Sequence, residues 1–249
     1  MNAQNWDFPA TRWNLVVDCH QSKDLNGAAK ALADLCTDYW HPLYAFARRI
    51  GKTPEDAKDA TQGFFGYAIE KELFSRADPE VGKLRTFLLT AFKRYMLQQR
   101  DREQAQKRGG GVSLLSLNWT DDDGDPVDII GLEDNDTPER AFERNWAASV
   151  IRVTQESLRK IEEAEGRGHE FAVLKPFVAA GGGGESDFEL VAADLGIEEA
   201  SARKKVSRLR QRFRDVLRKE IADTLSVRDD ALVDEELRVL IEALRDGGL

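Results

Sequence analysis

Residues 203–214, RKKVSRLRQRFR, combine closely spaced cations with a serine and a glutamine and contain no acid. Read as a helix at 100° per residue, the segment places Ala202, Val206, Leu209, Phe213 and Leu217 on one inner stripe. Lys204, Ser207, Arg208 and Gln211 then fall on the opposite face with Ala200. Arg203, Arg210 and Arg214 line one flank, and Lys205 and Arg212 the other. Cationic side chains suit phosphate oxygens, while Arg, Ser and Gln can also hydrogen-bond base edges. The alternative is an ordinary solvated helix face, but such faces mix Glu with Lys at i, i+4 spacing.

The elements that must position this face are legible around it. Phe188, Val191, Ala192 and Leu195 recur at i, i+3, i+4 and i+7, and Ser186 with Glu189 has the S-x-x-E form of a capping box. Gly196 stops that helix, and the cationic one begins at about residue 198. A helix, a glycine turn and a second helix with outward cations form the helix-turn-helix pattern, whose second helix enters the major groove. Arg203, Lys204, Ser207, Arg208, Gln211 and Arg212 are the candidate contacts to duplex DNA.

A second basic stretch lies at residues 83–108. Leu84, Phe87, Leu88, Ala91, Tyr95 and Gln98 are expected to face inward, with Lys93 and Arg100 outward, Arg85 on the flank, and Arg102, Lys107 and Arg108 beyond. Cations interleaved with Phe87, Phe92 and Tyr95 could hold phosphates and stack exposed bases, although aromatics at helical spacing commonly belong to a core. Ahead of this stretch, Thr53 is a good N-cap, Pro54 suits the first helical position, and Asp56 can complete a cap. The helix so defined, 54–71, turns Ala57, Ala60, Thr61, Phe64 and Ala68 inward. Asp59, Gln62 and Gly66 point outward, with Phe65 and Ile69 on the edge beside Gln62. That edge is either a protein-binding surface or the flank of a packed helix.

The chain has 249 residues, 41% hydrophobic and 33% charged, enough for one large or two small domains with real cores. Its formal net charge of -9 is unusual for a nucleic-acid binder. The charges are segregated, however, and a local patch rather than the total steers a protein to DNA. Basic residues gather at 83–108 and 203–219, acids at 121–139 and in the C-terminal tail. No apolar run approaches the length of a membrane span, and the first residues have neither a basic start nor an apolar h-region, so a cytoplasmic protein without membrane insertion is expected. Cys19 and Cys36 lack CxxC spacing and read as buried thiols. His20, His41 and His169 form no ligand pair, so neither a metal nor a cofactor is expected. No acid/base pair or nucleophile triad supports a catalytic reading.

Periodicity is helical almost throughout, apart from the short run VSLLSLNW at 112–119, which predicts an all-α protein. Helices are expected at 11–21, carrying Trp13, Val16 and Val17, and at 26–50, carrying Leu32, Leu35, Tyr39, Leu43 and Phe46 and ending at Gly51. Residues 109–137 have the glycine- and acid-rich composition of a linker. The triple glycine 109–111 is no phosphate loop, because no GK[ST] follows, and DDDGD lacks the Glu that a calcium loop needs at its twelfth position. Thr137-Pro138 opens a second helical domain, 138–224. Phe142, Trp146, Val150, Val153 and Leu158 form its first stripe, and a shorter helix is interrupted near Pro176. A last amphipathic helix with Val233, Leu237, Leu240, Ile241 and Leu244 belongs to the extension 225–249.

Several dispersed segments in this order, FPATRW, YWHPLYAFARR, PEDAKDATQGFF, ADPEVGKLRTFLLTAFKRYM and RDREQAQKRGGG, resemble an extracytoplasmic-function (ECF) sigma factor of the planctomycete and verrucomicrobial type. The resemblance covers most of residues 8–244. It implies an all-α fold of two helical domains, sigma region 2 within 1–108 and sigma region 4 within 138–224, joined by the acidic linker. Asp56, Asp59, Gln62 and Phe65 would bind core RNA polymerase. Arg76, Lys83, Arg85, Lys93, Arg94 and Arg100 would hold the melted promoter strand, with the loop 73–82 pocketing a flipped base. The helix-turn-helix would read the upstream promoter element, and an inhibitory anti-sigma protein would be a further partner. Lys58, Arg94 and Glu198 depart from residues common in relatives, so the promoter sequence does not transfer. The alternatives are a stand-alone helix-turn-helix regulator, or an adaptor with a vestigial DNA face.

Overall fold

A computed structural model describes residues 25–76, 83–106, 137–179, 185–225 and 229–245, and every regular element among them is helical. The helix expected at 11–21, the run 112–119, the distal part of the loop 73–82 and the acidic segment up to residue 136 lie outside the described residues. Described contacts divide between two units. The first holds the described residues through Trp146 with Asp223, Thr224 and Leu225, and the second holds Ala147 to Ala222 and the last helix.

Three helices build the first unit: α1 (Leu25–Arg49), α2 (Pro54–Glu70) and α3 (Leu84–Gln106), with a 3₁₀ turn at Leu73–Arg76 between the last two. The 26–50 stripe is buried as expected at Leu35, Tyr39, Leu43 and Phe46. Gly51, at φ +93°, ends α1: its N–H donates to Arg48 O and that of Lys52 to Ala47 O, a Schellman closure. Thr53 caps α2, its Oγ1 accepting from the Asp56 N–H at 3.1 Å. Phe46, Phe64, Phe92 and Tyr95 join the three helices edge to face, with Phe64 centroids 5.2 Å from Phe92 and 5.8 Å from Tyr95. Such pairs add about 0.5–1.5 kcal/mol each beyond area burial. Gly63 lets α2 and α3 approach there, because a Cβ at this position would strike Tyr95 Oη.

The fourth helix, α4 (Pro138–Ala164), opens with the Arg140 N–H donating to Thr137 Oγ1 at 3.2 Å, and the division between the units falls within it. In the second unit it is followed by α5 (Gly168–Leu174), α6 (Pro176–Ala179), α7 (Glu185–Leu195), α8 (Glu199–Asp223) and α9 (Asp230–Arg245). Pro176 separates α5 from α6, as its position predicts. Helix α7 begins at Glu185, so Ser186 lies within its first turn and not at the N-cap. The glycine stop is as expected: Gly196 has φ +62°, its N–H donates to Ala193 O, and that of Ile197 donates to Ala192 O at 3.0 Å. Phe171, Leu174, Phe177, Phe188 and Val191 join the α8 stripe in the core of this unit.

Candidate nucleic-acid interface

Helix α8 buries Ala202, Val206, Leu209, Phe213 and Leu217, the stripe that the sequence predicts, and extends it to Ile221. That burial leaves Lys204, Ser207 and Arg208 exposed on the other side. The remaining candidates, Arg203, Gln211 and Arg212, are also exposed, and each is engaged inside the second unit. Arg203 donates from Nε and Nη2 to Glu199 Oε1 at 3.0 and 2.6 Å, and its guanidinium lies 4.6 Å over the Phe188 ring of α7. It pins the two helices of the turn together. Gln211 donates to Asp215 at 2.9 Å and accepts from Arg214 at 2.5 Å. Arg212 is bound to Glu162 of α4 through Nη1, at 2.8 and 3.0 Å.

Glu162 organises this side of the unit. Its side chain is 3% exposed and also receives Arg167 Nε at 2.6 Å. The Arg167 backbone N–H donates to Glu162 O at 2.7 Å, so one residue is tied to the other twice. Burial opposes ionisation of Glu162, but hydrogen bonds from Arg167 and Arg212, with their charges, outweigh it and hold the carboxyl below its usual range. Lys205 is similarly paired with Glu170 of α5 at 2.5 Å, and Arg210 donates to Phe177 O at 2.9 Å. A cleft of about 110 Å³ opens between Glu162, Glu170, Lys205, Arg208 and Arg212. The absence of acids within 203–214 thus does not leave all of those cations unneutralised: Glu162 of α4 takes Arg212, Glu170 of α5 takes Lys205, and Glu199, earlier in α8, takes Arg203. Glu162 escaped the sequence reading, though it falls four residues after Leu158 on the α4 inner stripe, and an acid on an apolar stripe is a readable sign of a buried ion pair.

In the first unit, α3 buries Leu84, Leu88, Phe92 and Tyr95. Phe92 and Tyr95 therefore belong to the core and are not base-stacking platforms, whereas Gln98, expected inside, is exposed. Phe87 is half-buried, 6.4 Å from Phe74. Of the cations, Arg94 and Arg100 are exposed and Lys83 is half-buried. Arg85, expected on an open flank, has a side chain only 12% exposed, donates to Glu143 at 3.2 Å, and lies 5.0 Å from the centroid of Trp146. Lys93 donates to Glu139 at 2.6 Å and sits 5.2 Å from the Phe46 centroid. The hydrogen bond from Lys93 and its charge hold the Glu139 carboxyl below the usual range. Arg76 lies in the 3₁₀ turn, and its side chain is outside the described residues.

On α2, Asp56 and Asp59 are exposed and Gln62 is half-exposed. Phe65 is not on the surface: at 6% exposure it packs 5.5 Å from Phe64, and the apolar residue presented on that edge is Ile69, at 51%. The outer face thus carries Asp56, Asp59, Gln62, Gly66 and Ile69 without the expected aromatic. No described helix is long and apolar enough to cross a membrane. No family model, no curated protein and no solved structure matches the chain.

Proposed function

We propose that the chain is a dissociable sigma factor of the ECF class, which binds core RNA polymerase and directs it to promoters in the cytoplasm without catalysis of its own. The observation that carries this reading is the face of α8, where Lys204, Ser207 and Arg208 stand exposed over a fully buried stripe, directly after a helix closed by Gly196. A rigid helix with cationic and hydroxyl groups outward suits major-groove entry, with Lys204 and Arg208 meeting phosphate or guanine and Ser207 a base edge. The second support is the acidic, partly apolar outer face of α2, a surface for a basic protein partner. In this reading Asp56, Asp59, Gln62 and Ile69 meet polymerase, α3 holds the melted strand, and an inhibitory protein competes for one of these faces.

Reconstitution with core polymerase, followed by run-off transcription on genomic fragments, tests the proposal. A stable complex that starts transcription at discrete sites is the expected result. A chain that forms no polymerase complex but binds duplex DNA tightly by itself would instead be a stand-alone regulator.

A further inference from the structure

The two α3 cations held by α4 share one arrangement: an aromatic ring supports each, and a carboxylate takes its hydrogen bond. Lys93 has Phe46 and Glu139, and Arg85 has Trp146 and Glu143. Both pairs lie within the first unit. Ring and carboxylate differ in how readily they are given up. Phe46 and Trp146 are 4% and 2% exposed, fixed parts of the fold, and hold a cation by its charge without using its hydrogen bonds. Glu139 and Glu143 have side chains 51% and 39% exposed, where water and salt compete for the pair. A carboxylate presents two oxygens to a guanidinium or ammonium much as a phosphate does.

We propose that Glu139 and Glu143 are carboxylate placeholders for the phosphates of a single strand: they keep Lys93 and Arg85 of α3 closed to nucleic acid in the free chain and yield them when a strand arrives. The inference rests on the reading of α3 as the strand-binding helix and adds its regulation. The exchange turns two acidic side chains away and leaves Phe142 and Trp146 buried in place. Its result is a cation pair already oriented by rings but masked until a polyanion competes, which suppresses indiscriminate binding to RNA and single strands.

Carbodiimide, a zero-length coupling reagent, joins an amine to a carboxyl only where they touch, so peptide mass spectrometry should recover a Lys93–Glu139 amide from the free full-length chain. A 20-nucleotide single-stranded oligonucleotide should suppress that product. By fluorescence anisotropy at low salt, Glu139→Gln with Glu143→Gln should bind the oligonucleotide roughly two- to tenfold more tightly. Glu55→Gln with Glu242→Gln, which removes the same charge elsewhere, should leave the affinity unchanged. Failure to recover the amide, or equal affinity of wild type and the placeholder variant with coupling indifferent to the oligonucleotide, overturns the proposal alone. Binding by neither protein, with the coupling intact, overturns the strand-binding reading of α3 and the proposal with it.

Discussion

Arg212 Nη1 contacts both carboxylate oxygens of Glu162, at 2.8 and 3.0 Å, across 50 residues of sequence. The cationic helix α8 is therefore fastened to α4 by one of its own candidate DNA contacts. Because the folded-state pKa of Glu162 is depressed, its contribution to stability is complete above the ordinary glutamate range and is lost as pH falls through the depressed value. Glu162→Gln should destabilise the chain by about 1–2 kcal/mol at pH 7, less than a fully buried pair because both arginines can reach water. Denaturant titrations of wild type and variant at pH 7 and pH 3 check this. The gap should narrow at the lower pH, and a gap that widens contradicts the sign.

Gly63 faces the Tyr95 hydroxyl at the crossing of α2 and α3. Gly63→Ala gains helix propensity but forces the hydroxyl or a helix to move, with an expected net cost of about 1–3 kcal/mol. Tyr95→Phe removes the struck atom, so the double variant should recover most of the loss. A thermodynamic cycle from thermal melts, with a coupling near zero as the failing result, measures it.

Lys204 and Arg208 should separate from Arg203 in function. Lys204→Ala with Arg208→Ala should leave thermal stability within about 0.5 kcal/mol and cost about 1–3 kcal/mol per lost base contact in promoter binding, or lower the salt slope if the contacts are to phosphate. Arg203→Ala, which loses Glu199 and the Phe188 ring, should cost about 1 kcal/mol of stability. Paired melting and filter-binding curves distinguish the two classes.

Cys36, expected to be buried, is half-buried, and even that partial burial pushes its thiol up to about 12. In a Cys19→Ser background, alkylation by iodoacetamide should keep accelerating about tenfold per pH unit from pH 7 to pH 10, whereas an ordinary thiol levels off above about 8.5. A plateau near pH 9 would show that the side chain is reached by water.

What the sequence could disclose was whatever is encoded within a few residues. Thr53 announces α2 because its hydroxyl needs only the N–H three positions on, and Gly196 announces a stop because αL geometry is a property of one residue. The buried stripe of α8 follows from a 100° step alone. The helical pattern leaves Phe65 open between surface and core because a residue at the margin of a stripe is covered or bare according to how the neighbouring helix crosses, which is not a local quantity. Arg203 and Arg212 stand on opposite flanks of the α8 wheel, and nothing within α8 says that Phe188 and Glu162 reach them from other helices. Glu139 closes the acidic stretch 121–139 in the sequence, and only packing reveals that α3 receives it together with Glu143.

Helix α8 spans 25 residues, about 37 Å at the standard rise. Lys204 to Arg208 occupies little more than one turn near its beginning, and the buried stripe runs on to Ile221. In a genetic screen for lost transcription, most hits in this helix should therefore fall along Val206, Leu209, Phe213, Leu217 and Ile221 and lower protein abundance, imitating a recognition defect. Alleles that truly change promoter choice should be few, confined to Lys204 to Arg208, and recoverable only by selecting for altered rather than absent expression.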